Sequence, residues 1–416
     1  MISLNARIRP GYFMLLPAMA LFHFFLSSSV ACAQDAAPPA QSAAQVQFAQ
    51  GGNVAQIPVE ITGNLVFIPA GVNDAQPSWF LLDTARPSSA FDDIRAASLN
   101  LLPASTGAAR VTALTNAVLD FPGLKVSVPS LALVSLDDVS SRVGRAVQGV
   151  LGADVLGHFV VVLDYERSTL QFYDPKSYHY TGKGEKLKWT LPDGVPAVSG
   201  RVEIRGRGKI DGMFRISTGE PEPIVFSASF AAVHELASLS GKMIPFASAS
   251  DAEKVDGALG RVQSLTLGKT VIQDPLAVFP AEASASSSAT EVAGTLGAGI
   301  LNRFTIVMDY SGQFLYLEPN PRLLDMFAGD MSGLGLIAIP PDYRSYEVAQ
   351  VMPGTPAADA AFAVGDILVS IDGNPASDSS LDDIRELLRQ EDSTHKVTVQ
   401  RGGKSVDLII KLKRLI

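Results

Sequence analysis

Two three-residue segments of this 416-residue chain could carry chemistry: Asp83-Thr84-Ala85 and Ser217-Thr218-Gly219. Asp83 follows an apolar run, so its carboxylate is expected at the edge of a hydrophobic core. Two carboxylates about 3 Å apart share one proton, so that one acts as a base toward water and the other as an acid. The second segment carries a serine, whose hydroxyl does not titrate near neutral pH. The alternative role for Asp83 is a helix cap or an Asx turn.

A repeated segment connects the two triplets. Residues 149–175 and 294–320 align without a gap at a shift of 145 residues, with ten of 27 positions identical. So long a period indicates two copies of one domain, and each copy follows one triplet. Both predicted domains consist of short runs of residues that are either apolar or alternately apolar and polar, and Gly, Pro and Asn separate the runs. This pattern predicts mostly β domains. A short helix is expected after each triplet, over residues 91–99 and 227–236.

The chain changes character after Asn320, and residues 330–416 are predicted to form a separate domain. Its sequence predicts an amphipathic helix at residues 380–390, with Ser379 or Ser380 as the N-cap and acidic residues in the first turn. Two final strands are expected to flank a Gly-rich turn.

The duplicated part resembles aspartic proteases of the retropepsin and pepsin type, in the form that bacteria export. In that family each lobe has an apolar strand ending in Asp-Thr/Ser-Gly and a later hydrophobic-hydrophobic-Gly motif. The second motif is matched by Val150-Leu151-Gly152 and Thr295-Leu296-Gly297. The resemblance implies a mainly β fold of two tandem β-barrel lobes related by a pseudo-twofold axis. Lobe one would span residues 46–178 and lobe two residues 179–322.

The same resemblance assigns the catalytic positions to Asp83, Thr84, Ser217 and Thr218. Ser217 is a degenerate second site, since the family has an aspartate there, and Ala85 replaces the family's glycine. Glu220 and Asp211 are nearby carboxylates outside the motif position. Ser217 is not expected to be a catalytic nucleophile, because it lacks a G-x-S-x-G motif around it. The five histidines show no H-x-x-x-H spacing, so the sequence gives no support for a metal site.

Residues 333–416 resemble a PDZ domain of the kind associated with bacterial proteases, so that the whole chain would end in a small α+β PDZ domain. The resemblance implies that the loop Gly333, Leu334, Gly335 and Leu336 captures a peptide C-terminal carboxylate through its backbone amides. Polypeptide substrates or peptide C-termini are therefore the expected partners. The alternative is a domain that packs on the lobes with its groove shut.

The N-terminus predicts export. Arg7 and Arg9 precede an apolar stretch at residues 12–26 and a small-residue site ending in Ala33, which indicates a signal peptide at residues 1–33. A retained membrane anchor and lipidation of Cys32 are the alternatives. A linker is expected at residues 34–45, and the mature protein is expected to be periplasmic or secreted, without a membrane span.

Composition excludes several classes of function. Hydrophobic residues make up 47% and charged residues 18%, which is typical of a globular protein. The net charge of −9 argues against a nucleic-acid partner, and the absence of a G-x-G-x-x-G or P-loop motif argues against a nucleotide cofactor, so none is expected.

Two hypotheses about function follow. The first is an exported aspartic endopeptidase that acts on polypeptides, with Asp83 as its one intact carboxylate. It needs a second carboxylate, which Asp83 of another chain could supply in a homodimer. The second is a pseudoprotease that binds peptides or serves as a scaffold, because Ser217 replaces the second aspartate. The sequence leaves the choice and the oligomeric state open.

Overall fold

The computed structural model describes residues 45–102, 111–236, 241–249, 254–280 and 292–416. Within these residues the fold is mainly β, with two lobes built from barrel-like sheets and a smaller α+β domain at the C-terminus, as predicted. The predicted signal peptide, including Cys32, and all of the predicted linker except Gln45 lie outside the described residues.

Lobe one combines strands that are buried on one face with strands that are buried on both. The strand Val54–Pro58 alternates exposed and buried residues, whereas Leu65–Val72 is almost continuously apolar and lies inside the lobe. The strands are β1 Gln45–Phe48, β2 Val54–Pro58, β3 Glu60–Thr62, β4 Leu65–Val72, β5 Ser78–Leu82, β6 Ala90–Asp92, β7 Ala113–Phe121, β8 Leu124–Val134, β9 Gly149–Leu151, β10 Val160–Asp164 and β11 Thr169–Tyr173. The helices are α1 Asp93–Ser98, α2 Asp137–Val143 and α3 Ala153–Leu156.

In its described residues lobe two repeats the order of strands and helices around the triplet and the second motif, and it has no described counterpart of α2. Its strands are β12 Glu185–Thr190, β13 Ala197–Ile204, β14 Gly208–Ile216, β15 Ile224–Phe226, β16 Ile244–Ala249, β17 Lys254–Arg261, β18 Ser264–Leu267, β19 Thr270–Gln273, β20 Leu276–Pro280, β21 Val292–Leu296, β22 Phe304–Asp309 and β23 Phe314–Pro319. Its helices are α4 Ala228–Val233 and α5 Ala298–Leu301. The helices expected after the triplets are present as α1 and α4, and they are shorter than predicted.

The C-terminal domain has its own sheet and its own core. Its strands are β24 Leu334–Ile339, β25 Ser345–Val351, β26 Ile367–Ile371, β27 Asn374–Pro375, β28 Thr394–Arg401 and β29 Lys404–Lys411. Its helices are α6 Pro356–Asp359 and α7 Leu381–Leu387. Ser380 is the N-cap of α7 and forms a capping box with Asp383, because each side chain accepts a hydrogen bond from the other residue's backbone amide.

The two copies of the repeat meet at the pseudo-twofold axis. Strands β10 and β22 pair antiparallel, and Val162 is the register partner of Val307. These two valines are also the same position of the repeat, since they are 145 residues apart. A pair of equivalent residues facing each other across two strands marks the axis that relates the lobes.

The same pairing pattern places each triplet at the end of a strand. In lobe one, β5 runs parallel to β9, which in turn pairs antiparallel with β6. In lobe two, β14 and β21 are parallel, and β21 is antiparallel to β15. The glycines of the second motif lie against the loops that follow the triplets: a Cβ on Gly152 would be 2.7 Å from the carbonyl oxygen of Arg86, and one on Gly297 would overlap the carbonyl oxygen of Glu220.

Candidate functional site

Asp83 and Ser217 face each other between the lobes. Asp83 follows β5 and its amide donates to Leu151 O, while Ser217 follows β14 and its amide donates to Leu296 O, each at 3.0 Å. The Ser217 hydroxyl donates to Asp83 Oδ1 at 3.2 Å. The structure therefore brings the two predicted positions together, with an alcohol where a second carboxylate would stand.

The threonines of the two triplets hold the loops against each other. The Thr84 hydroxyl donates to Ile216 O and the Thr218 hydroxyl donates to Leu82 O, both at 2.7 Å. The amide of each threonine also donates to the hydroxyl oxygen of the other, both at 3.2 Å. Both side chains are completely buried, so these four bonds satisfy groups that water cannot reach.

Gly219 leaves room for the carboxyl of Asp83. A Cβ added to Gly219 would overlap the Asp83 carboxyl carbon and lie 2.8 Å from Oδ1. The pseudo-twofold axis relates Gly219 to Ala85 and Asp83 to Ser217. The close approach of Gly219 to the Asp83 side chain therefore has its counterpart in the approach of Ala85 to the side chain at position 217. By this symmetry, the carboxyl of an aspartate at 217 would meet the Ala85 methyl, whereas the shorter side chain of Ser217 would not.

Burial raises the pKa of Asp83, because the charged form loses its hydration. The Ala85 amide, which donates to Oδ1 at 3.0 Å, acts in the opposite direction together with the Ser217 hydroxyl and the charge of Arg86. Burial has the larger effect. The site therefore holds a carboxyl whose protonated form is favoured relative to an aspartate in water.

Of the two extra carboxylates considered from the sequence, Glu220 lies at the site and Asp211 does not. Burial raises the pKa of Glu220 to about 7, and the charges of Glu222 and Asp83 add to this effect. Its Oε1 accepts the Glu222 amide at 3.0 Å. Asp211 is exposed on the hairpin of β13 and β14, where it pairs with Arg201 at 2.6 Å.

In the C-terminal domain, the residues predicted as a carboxylate-binding loop lie at the start of the edge strand β24: Gly333 precedes the strand, and Leu334 to Leu336 belong to it. The carboxylate of Asp330 accepts hydrogen bonds from the amides of Ser332 at 3.1 Å and Gly333 at 2.5 Å. The Leu334 amide donates to the Ser332 hydroxyl at 3.0 Å. The start of the loop is thus bound to side chains of the same domain.

A Ser–His–Asp set that sequence reasoning missed lies in the same domain. Ser393 Oγ is 2.9 Å from His395 Nε2, and His395 Nδ1 is 2.7 Å from Asp372 Oδ2. Its only sequence signal is the close spacing of Ser393 and His395. The Ser393 hydroxyl donates to Gln390 O at 2.8 Å, so its proton is not directed at the imidazole as a nucleophile requires. The hydrogen bonds of Ser393, His395 and Asp372 therefore connect the start of β28 to the turn after β26.

The described ranges show neither a metal-binding cluster nor a membrane-spanning helix. They contain no cluster of three or more His, Cys, Asp or Glu side chains that could hold a metal ion. No helix in the described part of the chain has the length and apolar character to cross a bilayer.

Comparison with protein families identifies the C-terminal domain. Residues 347–401 match the family described as "PDZ domain". This segment is a PDZ domain. The match runs from Glu347 in β25 to Arg401 at the end of β28, and Gly333–Leu336 lies outside it, before the end of β24. A search of curated proteins found no match to the chain.

Solved structures are similar to the chain at low identity. An aspartic proteinase from Irpex lacteus is 13% identical, with 65% of this chain and 99% of that chain covered and a TM-score of 0.41. Basic 7S globulin from soybean is 14% identical, with 64% and 95% covered and a TM-score of 0.36. A photosystem II D1 C-terminal processing protease is 26% identical, with 22% and 26% covered and a TM-score of 0.20. All three TM-scores are below 0.5.

Proposed function

We propose that this protein binds extended polypeptide segments, in the cleft between its lobes and at its PDZ domain, without hydrolysing them by a two-carboxylate mechanism. One observation carries the proposal: the group facing Asp83 is the hydroxyl of Ser217, 3.2 Å from Oδ1. The lobes keep the architecture of a peptidase, and the second acid–base group is replaced.

The chemistry supports a binding role. A shared-proton pair needs two groups that titrate in the same range, one to take a proton from water and one to give a proton to the leaving group. Ser217 accepts and donates hydrogen bonds but does not titrate near neutral pH. Asp83 with a raised pKa and a serine partner is suited to hydrogen-bond a peptide group.

An active aspartic peptidase is the second candidate, and Glu220 is the observation that favours it. Its pKa of about 7 reflects burial and the nearby charges of Glu222 and Asp83, so a second titrating carboxyl is present close to the site. A homodimer that pairs Asp83 with Asp83 of another chain is less favoured. It would have to break the four hydrogen bonds between the loops of Thr84 and Thr218.

Digestion of a peptide library at acidic pH separates the two candidates. The binding proposal expects no cleavage by the wild-type protein or by Asp83→Asn, and peptide binding that persists in both. Cleavage by the wild type that disappears in Asp83→Asn, at an unchanged melting temperature, would establish the peptidase. Amidated and free C-termini should be compared, because equal affinity for both would refute carboxylate capture by Gly333–Leu336.

Export to the periplasm or the medium is part of the same proposal. It rests on residues 1–33, whose charged start, apolar stretch and small-residue cleavage site are typical of a signal peptide. Mass spectrometry of the mature N-terminus decides between cleavage after Ala33 and lipidation of Cys32. A mature protein that begins at Met1 would contradict both.

A further inference from the structure

β24 is an edge strand of the PDZ sheet and could receive a peptide. The strand order of this sheet is β24, β25, β26, β28, β29, so β24 has a strand partner on one side only. A PDZ ligand adds as a further strand beside such an edge and lies along the neighbouring helix. In this chain the neighbouring helix is α7, which packs near β24.

The edge at β24 is covered by lobe one. Helix α2 packs against β24. Gly144, which ends α2, lies so close to α7 that a Cβ on it would be 2.5 Å from Leu381 Cβ. Ala146 packs against the core of the PDZ domain. We call residues 137–146 the cover segment, since it contacts both the strand and the helix that would receive a peptide.

The cover segment is part of lobe one and is bound to it by an ion pair, ring contacts and a buried hydroxyl. The guanidinium of Arg145 bonds Glu60 at 2.6 Å and lies over the rings of Phe67 and Trp79, at 4.6 and 4.9 Å from their centres. Ser140 is buried in lobe one and accepts the Val147 amide at 2.9 Å. Opening of the groove therefore requires the PDZ domain to leave lobe one, with the segment staying behind.

Two polar contacts hold the PDZ domain in this position, and one of them is a hydrogen bond between the side chains of Tyr343 and Ser140. The Gly63 amide in the turn between β3 and β4 donates to Asp382 Oδ2 on α7 at 2.9 Å. Within the PDZ domain, Arg385 donates to Leu336 O of β24 at 3.0 Å, which engages an acceptor on the strand itself. The charges of Arg385 and Arg389 also act on Glu222, in the loop after the Ser217 triplet. Helix α7 thus faces the PDZ groove and the cleft loop of lobe two.

We propose that the cover segment is an internal occupant of the PDZ groove, and that an extended polypeptide binds β24 only when the PDZ domain leaves lobe one. The inference rests on the proposed function in one respect, because it takes a polypeptide as the competing ligand. Through Arg385, Arg389 and Glu222, release of the PDZ domain also changes the charges beside the cleft. Occupancy of the PDZ groove would thereby regulate the cleft.

Hydrogen exchange on the full-length protein tests the closure without any ligand. Gly144→Ala places a methyl against Leu381, whereas Gly241→Ala is a matched control, because both glycines have φ +83° and nothing lies within 4 Å of a Cβ at Gly241. We expect amides of residues 334–339 to exchange at least about tenfold faster in Gly144→Ala than in Gly241→Ala. Asp382→Ala, which loses the bond from Gly63 without backbone strain, should act in the same direction. Equal exchange of residues 334–339 in wild type, control and both open variants would overturn the closure.

A second arm adds fluorescein-labelled β-casein, an unfolded polypeptide, as the probe. We expect Gly144→Ala to bind it at least about threefold more tightly than the control does, with new protection at residues 334–339. Protection of those residues in the wild type while Gly144 and α2 keep their contacts would refute the internal occupant. Faster exchange in the variant without any casein binding would uphold the closure and reject the proposed polypeptide-binding function, so the two failures are distinguishable.

Discussion

Thr84 and Thr218 are bound to each other's loops by reciprocal hydrogen bonds, with each hydroxyl donating to the carbonyl that precedes the other triplet. Each hydroxyl also accepts the other threonine's amide. This relationship fixes the distance between Asp83 and Ser217 without using either of them. The geometry of the site thus depends on the threonines, while its chemistry depends on the residues before them.

Thr84→Val is expected to lower the free energy of unfolding by about 2–3 kcal/mol, because it leaves buried Ile216 O and the Thr218 amide without partners. Chemical denaturation measures the change. Thr190→Val is the control: Thr190 is exposed on β12, so its substitution should stay within about 0.5 kcal/mol. A loss in Thr84→Val no larger than in the control would contradict the role given to these bonds.

Ala85 and Ser217 are expected to be energetically coupled. Ser217→Asp alone should destabilise the protein, because the new carboxyl meets the Ala85 methyl and the Asp83 carboxyl in a buried site. Adding Ala85→Gly should recover part of the loss, with an interaction energy of about 1–3 kcal/mol in a double-mutant cycle. In the double variant, NMR titration should show two coupled carboxyl pKa values. Additive effects of the two substitutions would mean that Ala85 does not occupy the space of the second carboxyl.

The raised pKa of Glu220 predicts a loss of stability with rising pH. Its pKa in the folded state is about 7, above its ordinary value of 4.5, so the folded protein binds more protons than the unfolded chain between these values. The free energy of unfolding should therefore fall from about pH 4.5 and level off above about pH 7, by about 1–3 kcal/mol. Glu220→Gln should remove this fall in a series of unfolding curves. An unchanged pH profile in the variant would show that Glu220 titrates normally.

The buried ion pair of Asp366 and Arg401 should be essential to the PDZ domain. Asp366 is fully buried and Arg401 binds both of its oxygens at 2.6 Å. Arg401→Ala leaves the buried carboxylate with only the Ala363 amide as a partner and should cost about 1–3 kcal/mol in thermal or chemical unfolding, less than a fully buried pair because 37% of the Arg401 side chain is exposed. The matched control is Arg201→Ala, whose partner Asp211 is exposed, with an expected change below about 1 kcal/mol.

The same pair sets an acid limit. Burial acts to raise the pKa of Asp366, but the bonds from Arg401 and the Ala363 amide outweigh it, and the pKa is lowered. Its stabilising contribution is therefore present above its ordinary value of 3.8 and is lost as the pH falls through the lower folded value. Arg401→Ala should lack this extra acid-dependent loss, and an equal loss in both proteins would contradict it.

The sequence by itself determined the duplication, the fold class, the two triplets and the presence of a PDZ domain. Each of these features depends on residue types and spacings that can be read along the chain, either within one motif or by comparing the two copies of the repeat. The N-cap at Ser380 and the meeting of Asp83 with Ser217 were predictable for this reason. The sequence pattern predicted helices after the triplets that are longer than α1 and α4. Helix ends depend on tertiary contacts, and the local pattern does not contain these.

Only the tertiary structure decided which distant residues meet. The relation of Ala85 to position 217 follows from a pseudo-twofold axis through Val162 and Val307, and it has no sequence signal. The position of Gly144 against Leu381 and the bond from Gly63 to Asp382 depend on how the PDZ domain lies on lobe one. Contacts between residues more than 200 positions apart are fixed by packing of preformed surfaces, so no local pattern could reveal them.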